Sequence, residues 1–206
     1  EKDMPEISFT KKKLTKKYGN ADYKYEVTTN STGKVVYRSS NTAVAEPDQF
    51  GYITIKKAGS CTITARVAAD ANYKSASAGY QLVVSKKDMT KKKVKLSKTS
   101  YIYAGKNCKP KAVVSGLARS DYKVTYKNAD KPGTAICVIT GKGNYSGKIE
   151  VPYSINLAKT VITKITNKKS GVSLTWKKVA GAKGYRIYRR TKNGSWKRIR
   201  ELTSSK

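Results

Sequence analysis

The sequence predicts an all-β chain of tandem sandwiches, and three observations carry that prediction. Apolar and polar residues alternate with period two over many short segments, each bounded by turn residues, and no helical period lasts three turns. Val, Ile, Thr and Tyr are plentiful although hydrophobic residues make up only 38% of the chain, and branched or aromatic side chains suit a pleated, half-buried surface. The third observation is an internal repeat. AGSCTITARVAADANY (58–73) and PGTAICVITGKGNY (132–145) each start on a glycine and a hydroxyl residue, run as an alternating strand and finish on Asn-Tyr. Gly59 and Gly133 stand 74 residues apart, about the length of one small sandwich.

The elements follow in order. In the first unit, YKYEVTT, KVVYRSS, YITIK, CTITARV and YQLVV read as strands, and KKKLTKK (11–17) reads as a solvated strand edge. Lysine at such a place discourages edge-to-edge pairing. KKDMTKKKVKL (86–96) reads as a short basic linker into a second unit, whose strands are KVKLS, SYIYAG, KPKAVV, YKVTYKN, AICVIT and IEVPYSI. VSLTW (172–176), GYRIY (184–188) and residues 196–202 form the strands of a third segment. The expected boundaries are therefore 1–85, 86–158 and 159–206.

A family resemblance then becomes specific. YRSSNTAVAEPDQFGYITIKKAGSCTITA (37–65) resembles the group 2 bacterial Ig-like repeat, with departures at Pro47 and Phe50-Gly51-Tyr52 that put the edge register in question. Residues 101–155 resemble another Ig-like repeat of Gram-positive surface proteins. The third segment resembles the first half of a fibronectin type III domain, with Trp176 as the core tryptophan of strand B. A sandwich of this kind runs to about 100 residues, and about 45 follow Lys159, so strands E to G are expected to be missing. The resemblances imply tandem Ig-like β-sandwiches plus a partial fibronectin type III-like sandwich. They imply a non-catalytic spacer or adhesion segment of a secreted or wall-associated bacterial protein. Modules of this kind also accompany catalytic domains in secreted hydrolases.

Charge supplies the competing function. Lys and Arg total 44 against 13 Asp and Glu, a net +31, and histidine is absent. Without histidine the commonest general base and metal ligand is missing; no catalytic, cofactor-binding or metal-binding residues are expected. No apolar run approaches the roughly 20 residues that span a bilayer. The excess rises along the chain: 13 basic against 8 acidic side chains in 1–85, 16 against 4 in 86–158, and 15 against 1 in 159–206. Such charge attracts polyanions, whether teichoic acid or another cell-wall polymer, a sulfated host glycan or nucleic acid; a matrix protein is a further candidate partner. In the tail, alternation puts Arg186, Tyr188 and Arg190 on one face. With Ile199 facing inward, Trp196, Arg198 and Arg200 join them as a basic ladder interleaved with aromatics. The plainer alternative is a solvated face whose long stems cover the rings.

Two further features are weighed. TGKGNYSGKIEV (140–151) has the glycines and lysines of a phosphate loop, but the spacing is wrong for a P-loop and a strand, not a helix, follows. It reads as a hairpin turn in which glycine supplies positive φ. Of the three cysteines, Cys61 is expected to be a buried free thiol. Cys108 and Cys137 are either two buried thiols or a disulfide worth about 3 kcal/mol.

Overall fold

The computed structural model describes residues 1–203. Its regular elements are strands; among the described residues the one helical turn is a 3₁₀ turn at Arg119–Asp121. The chain is all-β and built of tandem Ig-like sandwiches. It divides into two compact units. One is Glu1–Lys92 with Gly116–Lys123 and Thr140–Ile149; the other is Lys93–Ser115 with Val124–Ile139 and everything from Glu150 on.

In the first sandwich, a four-stranded sheet runs in the order Lys13–Lys17, Ala76–Ser85, Gly59–Val67, Val35–Ser39. The first pair is parallel and the others are antiparallel. KKKLTKK thus lies at a sheet edge, with Lys13, Thr15 and Lys17 exposed. The opposing sheet orders Tyr23–Lys24, Tyr52–Ile55 and Ala45–Pro47. Pro47 falls on its border strand, opposite Ile53, where the missing N–H leaves no ladder bond unmade. Phe50-Gly51-Tyr52 form the turn: Asp48 Oδ1 accepts the N–H groups of Phe50 and Tyr52, and Gly51 takes φ 85°. The departures from the repeat are therefore local turn chemistry.

Alternation becomes burial between these sheets. Ala45 and Ile53 from one sheet meet Cys61, Ile63, Ala65, Tyr80, Leu82 and Val84 from the other. Phe9 and Tyr25 both pack against Tyr80, each ring 4.9 Å away and edge-on. Tyr80 keeps a hydroxyl partner in Tyr23 at 3.2 Å, as a buried polar tip requires.

The second sandwich repeats the order. Ser100–Ile102, Lys148–Asn156, Gly133–Gly141 and Tyr122–Lys127 form its four-stranded sheet, and its first pair is again parallel. Val94–Leu96 pairs with Ala112–Val114 beside it. Gly59 and Gly133 open equivalent strands at φ 153° and 129°, a conformation that favours glycine. The repeat seen in sequence is thus a repeat of topology.

The third segment is two hairpins, Ile162–Lys168 with Gly171–Trp176 and Tyr185–Arg189 with Lys197–Leu202. Trp176 and Tyr185 pack with ring centroids 5.3 Å apart, and the Tyr185 hydroxyl accepts the Val179 N–H at 2.8 Å.

Candidate anion-binding surface and the glycine loop

The basic ladder rests on the hairpin of Tyr185–Arg189 and Lys197–Leu202. Arg186 lies opposite Glu201 and Ile187 opposite Arg200; after a register shift, Tyr188 lies opposite Arg198. One step on the first strand thus spans two on the second, which makes Ile199 the extra residue of a β-bulge. The bulge decides which arginines share a face. Arg186, Tyr188 and Arg198 face one side together with Glu201. Arg200, directly opposite Ile187, faces the other side and lines an open groove of about 550 Å³ with Leu174, Trp176 and Ile187. The expectation that Arg200 belongs to the outward ladder is therefore corrected, because strict alternation fails at a bulge.

Glu201 is the residue that the expected ladder left out. Its carboxylate accepts Arg186 Nε at 3.2 Å and Arg198 Nη1 at 2.8 Å. The third segment's single acid is thus placed between two of the ladder's arginines, and its sequence signal is its place on the same strand as Arg198. Arg190 and Trp196 meet near the hairpin's turn, the guanidinium 4.9 Å from the ring centroid. Trp196 is 61% and Tyr188 48% exposed, so both rings are open to a ligand. The arrangement can offer two arginine forks bound to a carboxylate and one cation stacked on a ring.

The glycine loop has a different occupation. Within the first compact unit, Asn144 Oδ1 accepts the Ala58 N–H at 2.9 Å, and Tyr145 packs edge-on to Tyr18 at 5.7 Å. Lys87–Asp88 runs parallel to Tyr145–Ser146. The N–H groups of Lys87 and Met89 donate to the carbonyls of Asn144 and Ser146 at 2.8 and 3.0 Å. Met89 is fully buried. Gly147, at φ 95°, lies so close that a Cβ there would come within 2.6 Å of Thr90 Cγ2 and 2.7 Å of Asp88 Oδ1. The stretch expected to be a basic linker is instead held at its start by this loop. Its lysines masked the buried Met89 near its start.

Cys61, Cys108 and Cys137 are buried free thiols. Cys108 and Cys137 are not bonded to each other. Tyr153 lies near both: its hydroxyl donates to the Cys108 carbonyl at 2.6 Å, and burial pushes its pKa up to about 12. Burial also raises the Cys137 thiol, keeping it protonated and a poor nucleophile. Among the described residues, no group of three His, Cys, Asp or Glu side chains could hold a metal ion.

Residues 27–70 match the family model described as the intimin immunoglobulin-like domain. No curated protein matches the chain. Solved structures that resemble the chain include a cadherin and two Bacteroides proteins of glycan utilisation loci. Drosophila N-cadherin EC1-4 is 13% identical over 75% of this chain and 50% of its own, with a TM-score of 0.34. A Bacteroides ovatus protein of a mixed-linkage glucan utilization locus, solved with a mixed-linkage heptasaccharide, is 15% identical over 98% and 71%, with a TM-score of 0.35. A SusE-like surface located polysaccharide binding protein from the Bacteroides thetaiotaomicron heparin utilisation locus is 12% identical over 74% and 34%, with a TM-score of 0.28. The chain thus spans half of the cadherin fragment and about a third of the SusE-like protein.

Proposed function

We propose that this chain is a non-catalytic Ig-like segment of a secreted or wall-associated bacterial surface protein, acting as a spacer and adhesion module. The match of residues 27–70 to an intimin Ig-like domain supports the placement. The observation that carries the spacer role is the clamp on residues 86–90. Backbone pairing, a buried methionine and a close-packed glycine hold this stretch within the first compact unit, so it is built into the fold and is not a free linker. The modules are taken as 1–85, 86–158 and 159–206, the last as fibronectin type III-like. Its two hairpins and the Trp176–Tyr185 contact support that assignment.

Trypsin tests this stretch directly. Lys86, Lys87, Lys91, Lys92 and Lys93 crowd eight residues, a preferred cleavage site in any flexible linker. Under native conditions the first cuts should fall in the third segment. Rapid cleavage between Lys86 and Lys93 would refute the spacer role. Antibody labelling of intact cells that make the parent protein tests the location; labelling that requires permeabilised cells refutes it.

A second role, binding of a cell-wall polymer, host glycan or other polyanion, is favoured by the exposed Arg190–Trp196 stack. Retention on heparin that drops sharply for R190Q and W196A, and falls steeply with salt, would support it. An even drop for any removed lysine would leave only diffuse charge.

A further inference from the structure

The outward face of the first sandwich's four-stranded sheet carries a groove of about 770 Å³. Register explains its make-up. Val36 lies opposite Arg66, and Arg66 opposite Ser77; Arg38 lies opposite Thr64, and Thr64 opposite Gly79. Their chain neighbours Tyr37, Ala65 and Ala78 pack in or against the core, so alternation turns these two rows to solvent. The second row ends on a residue without a side chain.

The charges in this groove are unbalanced. Lys34, Arg38 and Arg66 line it and no carboxylate does. Among the described residues none of the three enters an ion pair. Arg66 donates one Nη2 bond to Ser75 Oγ at 3.2 Å, and Thr64 and Ser77 line the same groove. Arg38 and Arg66 stand on adjacent strands in a diagonal relation, about 7–8 Å apart at the backbone. Val35–Ser39 is the border strand of the sheet, so the groove reaches the sheet's edge, where a polymer can run past it.

The chemistry narrows the ligand. No aromatic side chain lines the groove, so it lacks the stacking platform on which unpaired bases are held. What remains are arginine forks, which match planar or tetrahedral oxyanions, separated by hydroxyls that exchange hydrogen bonds with other hydroxyls. We propose that this face binds a sulfated polysaccharide, with Arg38 and Arg66 taking sulfate groups and Thr64 and Ser77 meeting the intervening sugar hydroxyls. The proposal depends neither on the tail hairpin nor on the spacer role.

The test is an amide NMR titration of the whole chain with dextran sulfate, with unsulfated dextran and a single-stranded oligonucleotide in parallel. Dextran sulfate should shift resonances concentrated in Val35–Ser39, Gly59–Val67 and Ala76–Ser85, and dextran should shift none. The double variant R38Q/R66Q should bind dextran sulfate about tenfold more weakly with unchanged melting, since both side chains are exposed. Shifts spread over all lysine-rich surfaces, or unchanged affinity in the double variant, would overturn the site. Equal shifts with plain dextran, or larger ones with the oligonucleotide, would overturn the ligand class.

Discussion

The first sandwich and the third segment are written in the same alternating code and reach opposite outcomes. In Gly59–Val67, Ile63, Ala65 and Val67 have no measurable exposure. In Ile162–Lys168 every residue is exposed, Ile165 at 63%, and Ile199 in the last strand is 54% exposed. Alternation therefore specifies which face of a strand is apolar, and only an opposing sheet converts that face into a core. The first sandwich has one; the third segment has two hairpins that share few partners, and among its described residues Val179 is the one in the buried apolar set.

The largest expected effect sharpens this contrast. Ile63→Ala should destabilise the first sandwich by about 2–5 kcal/mol, through lost burial and a cavity. Ile165→Ala should change stability by no more than about 0.5 kcal/mol. Both tryptophans, Trp176 and Trp196, lie in the third segment, so tryptophan emission reports it alone while tyrosine reports mainly the sandwiches. In urea, the Ile63→Ala variant should shift the tyrosine transition and leave the tryptophan curve in place. Equal effects of the two substitutions on stability would break the comparison.

Next in size is the glycine loop. Gly147→Ala forces a Cβ into Thr90 and Asp88 and asks a residue with a side chain to hold φ 95°, a strain of about 1–3 kcal/mol. The amides of Lys87 and Met89 should then exchange faster with deuterium while that of Ile63 keeps its protection. Unchanged exchange at Lys87 and Met89 would mean that the clamp does not depend on this glycine.

These cases show what was legible. Strand positions, the Gly59–Gly133 repeat and the loop's role as a turn could be read because they depend on local chemistry: alternation, turn residues and positive φ. Met89 could not, because one apolar residue among lysines has no periodicity to announce it, and its burial depends on a loop more than fifty residues away. Arg200 was misplaced for a related reason. A bulge is a property of two strands paired, and Ile199 carries no mark of it. The groove on the first sandwich was equally hidden, since Arg38, Thr64 and Arg66 converge only once the register is known.

A smaller effect separates the sandwich's loops from its core. Asp70 accepts bonds from Ser31 Oγ, the backbone N–H groups of Tyr73, Asn72 and Thr32, and Thr32 Oγ1. The Ser31 hydroxyl first, then the Tyr73 N–H, hold its carboxyl well below the usual carboxylate range. A depressed folded pKa gives stabilisation that is complete above the unfolded value near 4 and is lost as pH falls through the folded one. Asp70→Asn should therefore lower the melting temperature at neutral pH, and the gap to wild type should close on acidification from pH 5 to 2. A gap that stays constant would remove Asp70 from the acid response.

The smallest stability effect lies in the third segment, where Glu201 joins Arg186 and Arg198. All three side chains are at least 40% exposed, and exposed pairs of this kind contribute about 0–1 kcal/mol each. Glu201→Gln should thus barely move the melting curve. Its effect on binding should be larger, because it frees two arginine forks and raises the segment's net charge by one. If the hairpin binds polyanions, E201Q should elute from heparin at higher salt than wild type, and E201Q combined with R186Q should return toward the wild-type position. If E201Q and an acid-to-amide change remote from the hairpin, such as E26Q, raise the elution salt equally, total charge governs retention. The third segment would then differ from the first sandwich in packing alone and not in what it binds.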